Sequence, residues 1–421
     1  MRHFYLTGIL MLSCIMFNCC NNASAKSTSE ESVPVITNEN SRKIMTTSDE
    51  NSFVDANTGT QTGETTSTTT AANDDTKIQV ALLLDTSGSM DGLIEQAKSR
   101  LWNIVNTLTT LRFQGKTPEI QIALYEYGND NIKASEGYVR LVTPLTIDLD
   151  LVSEKLFALK TNGGLEYCGT VIDRATNNLK WSTNESDIHL IYIAGNEEFT
   201  QGGISYKEAI SGALRKNITV NTIHCGNRDD GISGKWKDGA DKGNGKFFNI
   251  NHNARVRYVA TPYDDRIDQC NIRLNATYIS YGREGEARKI NQAAQDKNAE
   301  SISSANKAER VVSKTRSVYK NGSWDLIDLV TENEKALSDI KQSELPKELQ
   351  GKSEAEVKSY VVKMKGERES IQKEIEALAK ERQAYIDKEL KKDGEASGDD
   401  LGKLINLSVI EYATAKGYKT E

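Results

Sequence analysis

Apolar positions along the chain fall into three regimes. Residues 4–17 are almost unbroken in apolarity, and residues 77–280 alternate short apolar runs with amphipathic stretches. Beyond residue 283 the apolar positions thin to single residues at near-heptad spacing. The middle regime carries the clearest signal. Residues 78–84 read as a strand buried on both faces of a parallel sheet. Leu93, Ala97, Leu101, Ile104, Val105, Leu108 and Leu111 then line one side of a helix. Residues 120–127 and 138–145 read as a hairpin-like pair at a sheet edge, with further strands at 188–193, 218–224 and 246–250. Helices are expected around Leu156, Ile172, Ile210 and Ile267. Strands that alternate with helices predict an α/β fold with a doubly wound, mostly parallel sheet and right-handed crossovers.

The two flanking regimes differ from it. Arg2 and His3 precede the first apolar run, and Ala23-Ser24-Ala25 follows it, which is the pattern of a secretory signal over residues 1–25. The run is short for a membrane span. Cleavage after Ala25 would free the protein, whereas lipid attachment at Cys14, Cys19 or Cys20 would anchor it. Residues 26–76 are dominated by Ser, Thr, Asn, Asp and Glu, and read as a flexible linker. After the α/β domain (77–280), residues 281–393 read as helical. Val357, Tyr360, Val361, Met364, Ile371, Ile375, Leu378 and Tyr385 mark a seam that predicts a helical hairpin, a coiled coil, or a stalk folded on itself. Glu367, Arg368 and Arg382 interrupt that seam. Residues 394–421 read as a hinge and a C-terminal amphipathic helix.

The candidate chemistry sits where the first strand ends. Asp85, Ser87 and Ser89 present three oxygen-bearing side chains at alternate positions of a Gly-containing turn, at the sheet edge where α/β proteins bind ligands. One carboxylate and two hydroxyls suit a hard divalent cation that keeps several waters, Mg²⁺ before Mn²⁺ or Ca²⁺. In its strand–turn–helix setting, Asp85-Thr86-Ser87-Gly88-Ser89 resembles the DxSxS motif of von Willebrand factor type A domains and their metal-ion-dependent adhesion site. The resemblance implies a Thr after a Gly-Gly pair and an Asp after a later strand. Here Glu166 follows Gly163-Gly164, and Asn196 follows residues 188–193. The two departures exchange a charge between positions, so Asp85 and Glu166 would supply two carboxylates and Asn196 a carbonyl oxygen. Thr161 is an alternative hydroxyl, and Glu197 and Glu198 stand at the same rim. An in-built Glu166 could also fill the coordination position that the family commonly leaves to an acidic partner.

Cys168 and Cys225 both fall near this edge. An exported protein permits a disulfide between them, with buried free thiols as the alternative. Cys270 reads as a core residue. The spacing of a structural zinc motif is absent around His224, no Gly-x-Ser-x-Gly elbow frames Ser87, and no Walker A segment occurs. With a net charge of −7 and an acidic isoelectric point, nucleic acid is an unfavourable partner. The expected role is non-enzymatic: a cell-envelope binding or assembly module that uses an adhesion-type metal site toward a protein partner. The alternative is a metal-silent scaffold whose C-terminal helices make the contacts or self-associate.

Overall fold

The computed structural model of the 421-residue chain describes residues 76–392 and 400–421. The expected signal segment, almost all of the linker and most of the hinge lie outside the described residues. Among the described residues, no helix is long and apolar enough to cross a membrane.

The chain enters on β1 (Lys77–Asp85), followed by α1 (Asp91–Leu108), a short β2 (Leu111–Arg112) and β3 (Glu119–Tyr127). Next come β4 (Val139–Thr146), α2 (Leu149–Ala158), α3 (Cys168–Asn178) and β5 (Ile188–Gly195). Then α4 (Tyr206–Arg215), β6 (Thr219–Cys225), α5 (Arg228–Ser233), α6 (Trp236–Lys242), β7 (Phe247–Ile250) and α7 (Asp264–Ala276) complete the α/β part. The main sheet runs β4-β3-β1-β5-β6-β7, parallel throughout except for the antiparallel edge strand β4. This is the doubly wound sheet expected, with the edge pair at β3 and β4.

Because side chains alternate across a strand, the sheet has two apolar faces. Ile78, Val80, Leu82 and Leu84 face one core, which α1, α2 and α7 cover. Ala81 and Leu83 face the other, where residues of α3, α4 and α6 pack, Trp236 among them.

The C-terminal third is α8 (Gly285–Ile302), α9 (Ser304–Ser313), α10 (Leu326–Glu332), α11 (Ala336–Asp339), α12 (Glu354–Lys392), α13 (Leu401–Ala415) and β8 (Lys419–Thr420). Within the stretch that reads as helical, α8 and α9 are separated at Ser303, whose extended backbone ends α8 and whose hydroxyl accepts the Asn306 N–H at 3.0 Å to cap α9. Ser353 and Glu356 form the box that opens α12.

The apolar seam of α12 is buried within the chain, not presented to another copy. Val357, Val361 and Met364 join a small core with α10 and Leu349, and Ile371, Ile375 and Leu378 join the core beneath α7 and α9. Arg368 and Arg382, which seemed to interrupt the seam, are its polar anchors. Buried Arg368 reaches Asp325 at 2.7 Å and Asp328 at 2.9 Å, and buried Arg382 reaches Asp264 at 2.8 Å. A second buried group ties the helices to the sheet layer. Arg310 pairs with Asp150 at 2.8 Å and Asp296 at 2.6 Å, and Lys314 pairs with Asp296 at 3.1 Å.

Distance in sequence misleads most at the end of the chain. α13 lies against α1, burying Leu401, Leu404, Ile405, Val409 and Ala413 in the core of the α/β sheet. Ser408 and Tyr192 of β5 hydrogen-bond at 2.6 Å, and Tyr412 donates to Asn221 of β6 at 2.9 Å. β8 pairs with β2, some three hundred residues earlier. Residues 281–421 are therefore not a separate hairpin or coiled-coil domain; the contacts of α12 and α13 place them in the layers of the α/β body.

Candidate metal centre

The strands β1 and β5 stop together at the carboxyl edge, and their ends bring the predicted residues into one place. Asp85 is fully buried, and its Oδ1 accepts the Ser87 N–H at 2.7 Å, closing the turn that carries Ser87 and Ser89. The Ser87 and Ser89 hydroxyls lie 3.5 Å apart, and Asn196 Nδ2 donates to Ser89 Oγ at 3.3 Å. Glu166 arrives on the loop before α3 and is also buried. Its carboxylate packs against Asp85, each raising or tuning the other's protonation. Burial holds the Asp85 carboxyl well above the usual carboxylate range, with the Glu166 charge adding to it. Burial raises Glu166 as well. All five predicted residues thus belong to one cluster.

Two glycines make room for it. Gly128 has φ +76°, and a Cβ there would lie 2.8 Å from both Asp85 Oδ1 and Glu166 Cγ. At Gly195 a Cβ would sit 3.1 Å from Asp85 Oδ2. Neither position accepts a larger residue while the carboxylates stay where they are.

Supporting residues were not apparent from the sequence. Asn129 Nδ2 donates to Lys160 O at 2.9 Å and to Thr86 O at 3.3 Å, fastening the Glu166 loop to the DxSxS turn. His224 uses its two ring nitrogens on Asn249 Oδ1 at 3.0 Å and the Asn196 carbonyl at 3.2 Å, which holds the Asn196 loop instead of a zinc ion. The short polar loops after each strand end were the only signal that could have pointed to them. The alternative hydroxyl is elsewhere: Thr161 Oγ1 donates to Asp91. Glu197 and Glu198 are exposed at the rim.

The expected Cys168–Cys225 disulfide does not form; both are buried free thiols. The cause is strand parity. Cys225 belongs to the core on the α1 face, and Cys168 to the core on the α3 face, so the sheet stands between them. Cys168 Sγ instead lies 3.9 Å from the Tyr127 hydroxyl. Cys270 is buried in the α1-side core, as expected.

The donor set can be tested for a cation on one observation. Three buried oxygens lack any hydrogen-bond partner: Asp85 Oδ2, Glu166 Oε2 and Asn196 Oδ1. Among the described residues, neither Asp85 nor Glu166 has an ion pair with Lys or Arg. Unsatisfied buried oxygens on three separate elements beside two hydroxyls form an all-oxygen set, which fits a hard divalent ion.

The von Willebrand factor type A domain family matches residues 79–254, from the second residue of β1 to just beyond β7. Residues 79–254 are a von Willebrand factor type A domain. The match ends well before α12 and α13. No curated protein matches the chain. Among solved structures, the chain is similar to BatB from Bacteroides thetaiotaomicron at 17% identity, over 41% of this chain and 90% of that one, with a TM-score of 0.32. It is similar to the SpRpn10 VWA domain at 19% identity, over 41% of this chain and 87% of that one, with a TM-score of 0.30. A third is proximal thread matrix protein 1 from the mussel byssus, whose structure is described as having a zinc-occupied MIDAS motif. That likeness is 13% identity over 42% of each chain, with a TM-score of 0.32. At such scores the superposition is partial.

Proposed function

We propose that this chain is an exported, non-enzymatic protein-interaction module of the cell envelope whose type A domain holds a divalent cation, Mg²⁺ first. Asp85 and Glu166 would be the anionic ligands, Ser87 and Ser89 the hydroxyl ligands, and Asn196 a carbonyl ligand. The observation that carries this reading is the trio of buried, unpartnered oxygens at Asp85, Glu166 and Asn196. A bound cation would neutralise the two carboxylates that burial now penalises, and would lock three loops at the face where a protein partner docks. The sequence pattern of residues 1–25 supports export, and Cys14, Cys19 or Cys20 offers a lipid anchor.

A metal-silent scaffold is the second reading, and one observation favours it. Burial raises both the Asp85 and the Glu166 carboxyl, so a proton held between them could satisfy the pair without a metal. Thermal unfolding of the protein in Mg²⁺, in Mn²⁺ and in chelator separates the two. A ligand that binds only the folded state stabilises by about 2.7 kcal/mol at a hundred times its Kd. We expect an upward shift that Asp85→Ala abolishes, and co-purification of an envelope partner that chelator disrupts. Identical unfolding in all three conditions would leave the scaffold reading standing.

A further inference from the structure

Beside the oxygen cluster, the carboxyl edge presents an exposed face of its own. Leu165 and Ile204 stand on it, 49% and 36% exposed. Two loops that pack on each other bring them there. The Ile204 carbonyl oxygen lies 2.0 Å from where Gly169 of α3 would carry a Cβ, and the Tyr167 ring lies 2.7 Å from the same point on Gly202. The Glu166 N–H meets Gln201 Oε1 at 3.4 Å between those loops.

The charge on this face is mostly negative. Glu197 and Glu198 are exposed where the second loop leaves β5, and neither has an ion pair among the described residues. Glu197 is near enough to Glu166 for its charge to add to the rise that burial causes there. α5 begins alongside: the Asp230 carbonyl and Glu198 Cα lie 2.9 and 3.8 Å from where Gly234 would carry a Cβ. Glu197, Glu198, Asp229 and Asp230 face only Arg228 and Lys235, and Arg228 stacks on the Phe247 ring at 5.2 Å. Acid is therefore in excess.

The cation position itself offers a partner little. Among the five cluster residues Ser89 alone is exposed, and the three unpartnered oxygens are buried. The loop that carries Glu166 is pinned on both sides, Asn162 N–H to the Thr86 carbonyl at 2.9 Å and Asp130 N–H to the Gly163 carbonyl at 2.5 Å. Asp85 and Glu166 already balance a divalent ion. A carboxylate from a partner would add uncompensated negative charge beside Glu197.

We propose that the face formed by Leu165, Ile204, Glu197 and Glu198 docks a basic segment of a protein partner, one that carries Lys or Arg next to apolar side chains. The apolar residues of that segment cover Leu165 and Ile204, and its cations sit on Glu197 and Glu198. Apolar contact supplies the affinity, while the exposed acids select the partner's charge and speed its arrival. The inference rests on the reading of this edge as the protein-docking face beside a cation.

The test follows fluorescence anisotropy of labelled, end-blocked hexapeptides with the full-length protein in Mg²⁺ at about 0.15 M salt. One peptide alternates Lys with Leu, the second Glu with Leu, and the third Ser with Leu. The basic peptide should bind with a Kd of about 100 μM or tighter, and the other two at least about tenfold more weakly. The pair Glu197→Gln and Glu198→Gln, and separately Leu165→Ser, should each weaken the basic peptide about fivefold or more. Lys235→Gln should strengthen it, and Glu376→Gln on α12 should leave it unchanged. Calorimetry with Mg²⁺ alone keeps the two failures apart. Absent Mg²⁺ heat with the basic preference intact would sink the cation and keep the docking face. Normal Mg²⁺ heat without a preference for the basic peptide would overturn the docking face. So would binding that the Glu197, Glu198 and Leu165 substitutions leave unchanged, or tighter binding of the acidic peptide.

Discussion

Arg368 offers the sharpest measure of how firmly α12 belongs to the domain. Its guanidinium donates to Asp325 Oδ2 at 2.7 Å, Asp328 Oδ1 at 2.9 Å, Thr277 Oγ1 at 3.0 Å and the Thr277 carbonyl at 3.1 Å. It also stacks on the Tyr278 ring, 4.0 Å from the centroid. Arg368→Met keeps the bulk and removes the charge. Asp325, fully buried, would then lose its cation. Breaking one side of a buried pair costs about 3–5 kcal/mol. Asp325 would keep the N–H groups of Ile279 at 2.8 Å and Asp328 at 3.1 Å, so the low end, about 3 kcal/mol, is expected. At a urea slope of about 3 kcal/mol per molar, the midpoint falls by about 1 M. Trp324, stacked on Tyr278 at 5.7 Å, makes intrinsic fluorescence a local reporter, and circular dichroism follows the helices together. The exposed pair Arg273–Glu374, 53% and 44% accessible, ties the same helix α12 to α7. Arg273→Ala should leave the midpoint where it is, because solvent screens that pair. Equal midpoint shifts for Arg368→Met and Arg273→Ala would refute the reasoning that buried charge, not surface charge, fastens α12.

Three other outcomes follow from the same contacts. Glu309, raised to about 7 by burial against an ordinary 4.5, holds a proton in the folded state that the unfolded chain gives up. Its stabilising contribution is full below about 4.5 and is lost as pH rises through about 7. With its carboxyl half-buried, Glu309→Gln should remove on the order of 1–2 kcal/mol of that pH dependence, read from urea midpoints at acid and neutral pH; an unchanged slope would place the titration elsewhere. Differential alkylation with mass mapping should find Cys168, Cys225 and Cys270 as thiols that react only after unfolding, and reductant should not move the midpoint. Glu166→Thr should weaken Mg²⁺ by tenfold or more, about 1.4 kcal/mol by calorimetry, yet stabilise the protein in chelator by separating two buried acids; unchanged affinity would remove Glu166 from the ligand set.

Much of the α/β fold was legible because burial on both faces leaves an unmistakable apolar run, as at Val80 to Leu84. The five residues of the candidate cation cluster were legible because strand ends in such a sheet converge on one edge. Other features depend on what a segment packs against, which periodicity does not report. The seam of Val357, Ile371 and Leu378 showed that one face of α12 is buried, but not that α7 and α9 bury it. Arg368 and Arg382 looked like faults in that seam because their acidic partners, Asp325 and Asp264, are far away in sequence. The disulfide expectation failed on a parity that proximity to a strand end does not reveal: Cys168 and Cys225 point into opposite cores. His224 and Asn129 were missed because their work is to hold backbone carbonyls, a role without a motif.

The position of α13 has a consequence for where this protein can be cut. A helix that seals the apolar side of the sheet, and a strand that pairs with β2, both come from outside the stretch that the family matches. Without α13, Leu82, Leu101 and Tyr192 would lose the cover of Leu401 and Ile405. A fragment cut at the end of the recognisable family domain would keep every predicted cation ligand and still expose that surface, and so would a chain truncated by a few turns at its C-terminus. The unit that folds therefore extends well past the unit that the family defines.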